Sequence, residues 1–257
     1  MRKSRRSIST SASSAGIEDT NIEDMGARVE VRRHAGARRL TLRVSRTRRA
    51  VIVTLPLQCD LDEAGSFISR NIDWVRERLD NLPDPVPFMH GSAMPLRGEP
   101  HAIVFTGAGP SRLVELSRTA APRPEICVPG AAATAEKRLR GWLFDEAKRD
   151  LDSAVMVHAK RLNVQPKRIV VRDQTTRWGS CSTTRVLSFS WRLVLAPPAI
   201  LEYVAAHEVA HLAEMNHGPR FWALVRKTLP DFETSKRWLQ VYGLDLHRYG
   251  AELQGRD

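Results

Sequence analysis

The sequence predicts an α+β fold in which a small sheet packs on one apolar, histidine-bearing helix, preceded by a β-rich region. Three observations carry this reading. Short β-branched or alternating runs are interleaved with helical patterns along the 257 residues. The longest helical pattern, Thr134 to Leu162, keeps Leu139, Leu143, Ala147, Leu151 and Val155 on one broad face. The segment from Ala199 to Ala213 is apolar on most sides, yet it carries His207, Glu208 and His211.

Residues 1–26 read as a disordered tail, basic at first, then rich in Ser, Thr and Ala, then acidic at Glu18, Asp19, Glu23 and Asp24. Residues 27–130 read as a β-rich region with one helix, and residues 131–257 as the domain that holds the motif helix. Leu40 to Val44 alternates, a turn follows from Ser45 to Arg49, and Val51 to Leu55 is β-branched, which is a hairpin signal. Leu61 to Leu79 has a helical stripe through Phe67, Ile68, Val75 and Leu79 with Trp74 beside it, and Pro83, Pro85 and Pro87 end it. His101 to Thr106, Arg112 to Leu116 and Glu125 to Val128 read as strands, with a turn through residues 107–110. After the long helix, Arg168 to Arg172 is a short strand. Leu187 to Leu195 is another, with Phe189, Trp191 and Leu193 on one face and a turn before it near Ser182 to Arg185. Pro197-Pro198 suits the first turn of the motif helix. Gly218-Pro219 breaks the chain, and Phe221, Trp222, Val225 and Leu229 pattern a further helix, with a last one from Ser235 to Tyr242.

Hydrophobic residues make up 42% of the chain, enough for a core. No run reaches the roughly 18 apolar residues that a membrane helix needs, and no apolar stretch follows the basic start as a secretory signal would require. Three cysteines, Cys59, Cys127 and Cys181, form no C-x-x-C pair, so a disulfide framework is not expected and a reducing cytoplasm fits. The net charge of +11 is concentrated near the start, at Arg28, Arg32, Arg33, Arg38, Arg39, Arg43, Arg46, Arg48 and Arg49. These N-terminal arginines are either a solvated surface or a patch for nucleic acid.

The chemistry lies in His207-Glu208-Val209-Ala210-His211 and the later His217, an H-E-x-x-H-x5-H pattern. Residues four apart share a helix face, so His207 and His211 can bind one ion, with Glu208 placed to reach a water on it. Glu202 falls near the start of this helix, where a carboxylate suits the helix dipole and can stay wet. Glu208 has no such position, and an unpaired buried carboxylate either costs several kcal/mol or becomes neutral. A dication held by the neighbouring histidines resolves that cost. Three protein ligands and an open position mark a catalytic zinc. Zinc activates water and polarises a carbonyl, and Glu208 serves as general base, so a peptidase acting on peptide or protein substrates follows.

His217 is the favoured third ligand, and the competing reading takes Glu233 or Asp231 from a later helix. The metzincin pattern H-E-x-x-H-x-x-G-x-x-H has the same spacing, but Glu214 stands in its glycine place. The turn to His217 then falls to Asn216 or Gly218, either of which tolerates positive φ. Glu214 is either a partner of a ligand histidine or a surface residue. Tyr203 and Arg177 are candidates to stabilise an oxyanion, or are structural. Cys181 reads as a small packed residue. The alternative function is a nucleic-acid-associated protein whose zinc site is structural or vestigial, or a protease acting on DNA-bound protein.

Arg177-Trp178-Gly179-Ser180-Cys181, Leu187-Ser188-Phe189-Ser190-Trp191-Arg192-Leu193, Ala196-Pro197-Pro198, Tyr203 to His211 and Asn216 to Trp222 together resemble the YgjP-like metallopeptidase domain, a bacterial family. The resemblance runs from about Arg38 to about Leu239. It implies a small gluzincin-like zincin fold with one zinc ion, His207, His211 and His217 as ligands and Glu208 as base. It also implies that an edge strand binds substrate by β-augmentation, for which the stretch Leu187 to Leu195 is the candidate.

Overall fold

A computed structural model of the chain describes residues 28–45, 50–107, 113–118 and 123–251. The expected disordered tail, the hairpin turn after Ser45 and most of the turn through residues 107–110 lie outside the described residues. The fold is α+β, and the chain divides into two compact units between Leu82 and Pro83. The sequence places its boundary at Gly130 instead. The difference arises because the strands from Ala93 to Val128 share a core with the helices that follow, through Met94, Leu96, Ile103, Ile126 and Val128.

The first unit is a three-stranded sheet with two helices. β1 (Arg28–Arg33), β2 (Thr41–Ser45) and β3 (Ala50–Leu55) stand in the order β1-β3-β2, with β1 parallel and β2 antiparallel to β3. The β2–β3 hairpin is the one the alternation predicts. β3 is central, and Ala50, Val51, Ile52, Val53 and Leu55 are all buried. The single helix expected over Leu61 to Leu79 is two, α1 (Leu61–Arg70) and α2 (Ile72–Asp80). Asn71 leaves helical geometry at φ −112°, ψ 15°, and its side-chain amide donates to the Phe67 carbonyl at 2.8 Å in competition with the helix ladder. Asp60 caps α1 through the Asp62 N–H. The apolar stripe survives the break, with Ala64, Ile68, Val75 and Leu79 buried.

The second unit is built on α3 (Ala132–Leu162), which is 31 residues long. It ends where Asn163 turns left-handed at φ 54°, with Asn163 N–H bonded to Lys160 O and Val164 N–H to Ala159 O, the two bonds of a Schellman close. Ahead of α3 lies a four-stranded sheet of order β4-β5-β7-β6, made of β4 (Ala93–Leu96), β5 (Glu99–Phe105), β6 (Glu115–Ser117) and β7 (Glu125–Val128). Behind it lies a three-stranded sheet of order β8-β10-β9, made of β8 (Arg168–Arg172), β9 (Gly179–Cys181) and β10 (Val186–Ser190). The strand expected to run to Leu195 stops at Ser190, and Trp191–Leu195 is a 3-10 turn. A strand buries alternate residues, whereas all five residues from Trp191 to Leu195 are buried, and the Ser190 hydroxyl caps the turn by accepting from Arg192 N–H.

The motif helix, α4 (Pro198–Ala210), packs on α3 and on the 3-10 turn, with α5 (Pro219–Thr228), α6 (Phe232–Tyr242) and β9 also against it. Nine of its residues are buried, from Ile200 to Ala210. Glu202 is not simply solvated. Its carboxylate shares a 2.8 Å hydrogen bond with Nε2 of buried His158, whose Nδ1 meets the Thr228 hydroxyl at 2.7 Å, so one imidazole ties α3 to α4 and α5. Among the described residues, no helix is long and apolar enough to cross a membrane.

Candidate metal centre

His207 on α4 and His211 at its C-cap share one face, and the chain then tightens: Leu212 N–H bonds Val209 O, and Ala213 N–H bonds Ala210 O. The chain turns without positive φ at Asn216 or Gly218. Instead the Glu214 carboxylate accepts from Asn216 N–H at 3.2 Å, and Gly218 N–H bonds Asn216 O at 2.7 Å. This turn brings His217 back over the helix. Its Nε2 lies 3.0 Å from His207 Nε2 and 3.1 Å from His211 Nε2.

These three imidazoles are the cluster of metal-type side chains found among the described residues. Glu233, the competing third ligand, is instead engaged by Arg226 at 2.9 Å. Cys181, the nearest cysteine in the motif, directs its thiol to the Ser182 carbonyl. Asp231 is likewise no member of the cluster.

The donor set fits a tetrahedral dication. His211 Nδ1 faces the Glu214 carbonyl at 3.1 Å and must donate to it, which leaves the Nε2 lone pair free. Lone pairs that face one another at about 3 Å repel unless a cation or proton lies between them. Zinc–nitrogen bonds of about 2.0–2.1 Å would set tetrahedral nitrogens about 3.3 Å apart, close to what is seen. Burial first, and then the neighbouring His211 and His217, push the His207 imidazolium down to about 3. Burial likewise lowers His211. Burial thus disfavours the cationic form of both rings, and the neutral form is the one that can bind a metal.

Glu208 is 5% exposed, and its Oε2 has no hydrogen-bond partner. Burial pushes its carboxyl up to about 8, against the opposing pull of Arg177. Gly179 on β9 makes this position available. A Cβ there would lie 2.6 Å from both Cγ and Oε1 of Glu208, so the strand can approach the carboxylate only as glycine. Tyr203 is buried with its ring centroid 6.0 Å from that of His207, and Arg177 is exposed.

Sequence reasoning missed the support of the imidazoles. Phe221, fully buried on α5, lies 4.8, 4.5 and 4.7 Å in ring centroids from His207, His211 and His217. Trp222 stacks at 6.0 Å on His217 and carries the Lys236 ammonium 4.1 Å above its ring. The helical spacing of Phe221 and Trp222 was visible, but their partners were not. β9 was also missed as a strand. The expected edge strand at Leu187 is corrected here: β10 is the centre of its sheet and bonds to both neighbours, so the edge beside Glu208 is β9.

Fold and site together define a metallopeptidase. The chain belongs to the YgjP-like metallopeptidase domain family, whose model matches residues 38–242. Two crystal structures of metallopeptidase zymogens are also similar. Abylysin of Pyrococcus abyssi is 18% identical over 36% of this chain and 95% of its own, with a TM-score of 0.33. Jannalysin of Methanocaldococcus jannaschii is 22% identical over 37% of this chain and 88% of its own, with a TM-score of 0.32. No curated protein matches.

Two stability predictions follow from Glu208. Its carboxyl ionises at its ordinary 4.5 when unfolded and at about 8 when folded, so the metal-free protein loses stability as pH rises between these values, by about 1.4 kcal/mol per pH unit. After chelation, Glu208→Gln should therefore gain on the wild type from pH 5 to pH 8 in urea unfolding, and parallel pH profiles would refute the buried-carboxylate account. Gly179→Ala should cost about 1–3 kcal/mol by overpacking, and much less in a Glu208→Ala background. Equal costs in both backgrounds would place the strain elsewhere.

Proposed function

We propose that this metallopeptidase is zinc-dependent, with His207, His211 and His217 as the protein ligands of one ion and Glu208 as general base. The observation that carries the reading is the meeting of three imidazole Nε2 atoms, 3.0 and 3.1 Å apart, beside a buried carboxylate with an unpartnered oxygen. When bound, zinc supplies Lewis acidity, which lowers the pKa of water towards about 7 and polarises a carbonyl. Glu208 takes the proton of the attacking water and delivers it to the leaving amine. The carboxylate form that this needs is disfavoured by burial and favoured by a cation alongside.

The substrate is a peptide or protein chain that adds to β9, a half-buried edge strand of its sheet, and so passes the Glu208 carboxylate. Main-chain pairing on an edge holds an extended chain in register and presents one peptide bond at a time. Tyr203 stands within the buried wall of the site, with its phenol pushed up to about 12 by burial and by Glu208, so it stays protonated as a hydrogen-bond donor at neutral pH. The three cysteines form no disulfide, in keeping with a cytoplasmic enzyme.

Metal analysis and peptidase assays on paired variants test the reading. Glu208→Gln should keep about one zinc per chain and lower kcat by roughly 100-fold or more, as loss of a general base does. His217→Ala should lose most of the zinc and with it the activity. Zinc retained by His217→Ala but lost on Glu233→Ala would move the third ligand to α6. Full peptidase activity in Glu208→Gln would remove the base from its role.

A further inference from the structure

The first unit holds a groove that the metal centre does not use. It runs between β2, an edge strand of its sheet, and the α1–α2 pair. One end, of about 430 Å³, is lined by Leu42, Arg43, Val44, Trp74, Arg78 and Asn81. The other end, of about 400 Å³, shares Leu42 and Trp74 and adds Arg39, Phe67 and Asn71. Phe67, Asn71, Trp74 and Arg78 recur at spacings of three and four residues, so they form one face across the helix break. Trp74 leaves 41% of its surface exposed, and the Arg78 guanidinium lies 5.6 Å from its ring centroid. Trp74 thus presents a flat aromatic face to solvent where both ends of the groove meet.

The charge around the groove says what that is. Arg39, Arg43 and Arg78 are exposed along its walls, and no carboxylate is among its lining residues. From Arg28 to Leu82 the chain has twelve arginines, seven acidic residues and no lysine. Guanidinium groups fork onto phosphates and stack on flat rings, which an ammonium does less well. A flat aromatic platform between cations that can follow a phosphate backbone is how single strands are bound without sequence preference. We infer that this groove binds single-stranded nucleic acid, with a base stacked on Trp74 and the backbone phosphates met by Arg39, Arg43 and Arg78.

The test uses the full-length, zinc-loaded protein and fluorescence anisotropy with labelled oligo(dT) and oligo(rU) of about 16 nucleotides. Both should bind at low salt, the tighter of the two naming DNA or RNA as the source, and a duplex of the same length should bind less tightly. Trp74→Ala should weaken binding by roughly five- to hundredfold, since a stacked base is worth about 1–3 kcal/mol. Trp74→Phe should keep most of the affinity. Trp74→Leu retains bulk without the ring, and serves if Trp74→Ala fails to fold. Arg43→Gln and Arg78→Gln should each lower the slope of log affinity against log salt by about 0.7. The inference is overturned if the wild type binds neither oligonucleotide, if the tryptophan and arginine variants bind as the wild type does, or if the duplex binds equally well. Capture of an extended peptide that survives Trp74→Ala, with no oligonucleotide bound, would overturn it in favour of strand addition to β2.

Discussion

The constraint on which the site depends is the burial of the Glu208 carboxylate in α4. Its helix buries Ile200, Leu201, Val204, Ala205, Ala206, Val209 and Ala210, so water cannot solvate a charge there. Arg177 pulls the carboxyl towards ionisation but burial outweighs it. His207 and His211 face the converse problem: burial disfavours their cationic forms, and His217 Nε2 lies 3.0 and 3.1 Å from their Nε2 atoms. A buried carboxyl short of positive charge thus shares the motif helix with two of three clustered imidazoles. A bound dication would relieve both, whereas the apolar side chains that surround them on this helix offer no compensating charge. This complementarity is why the metal reading explains more of the site than a buried core helix does.

The rest of the second unit holds that arrangement still. α3 and the 3-10 turn cover one part of α4, and α5, α6 and β9 cover others. His158 links α3, α4 and α5 through Glu202 and Thr228, so the motif helix cannot slide without breaking buried hydrogen bonds. Phe221 touches all three histidine rings from below and limits their rotamers. Trp222 stacks on Phe232 at 5.4 Å, and Phe232 on Tyr203 at 6.1 Å, which joins the ring seat to α6 and back to α4. The functional side chains are few, but the packing that fixes their geometry involves most of the unit.

What the sequence made legible was what repeats locally. The H-E-x-x-H spacing, the stripe of the long helix, the β2–β3 hairpin and the proline start of α4 are each set by neighbours in the chain, and each stands where the pattern puts it. What stayed hidden depends on distant partners. Phe189, Trp191 and Leu193 alternate, yet Trp191 packs on Phe144 and Phe88 from far upstream, and the segment turns to bury Arg192 and Val194 as well. β9 is three residues long and contains Gly179, whose need for glycine comes from Glu208 across a gap in sequence. The boundary at Leu82 was obscured because β4 to β7 look like the strands before them. Only their shared core with α3 assigns them to the second unit.

The turn between His211 and His217 shows how a different residue can solve a known geometric problem. For a third histidine six residues beyond the second to return to the first two, the chain must reverse within a few residues, and a glycine at positive φ is the usual way. Here position 214 is glutamate, and the reversal is made by hydrogen bonds instead. The Glu214 carboxylate holds the Asn216 N–H, which starts the bend, and the Glu214 carbonyl holds Nδ1 of His211. One residue thus fixes the tautomer of the second histidine and the approach of the third. A backbone that needs no positive φ loses less conformational entropy on folding than a glycine turn would, at the cost of a carboxylate that cannot be replaced by size alone. His217 is exposed at the end of this turn while Glu208 is buried in the helix, so the cluster meets solvent on its loop side.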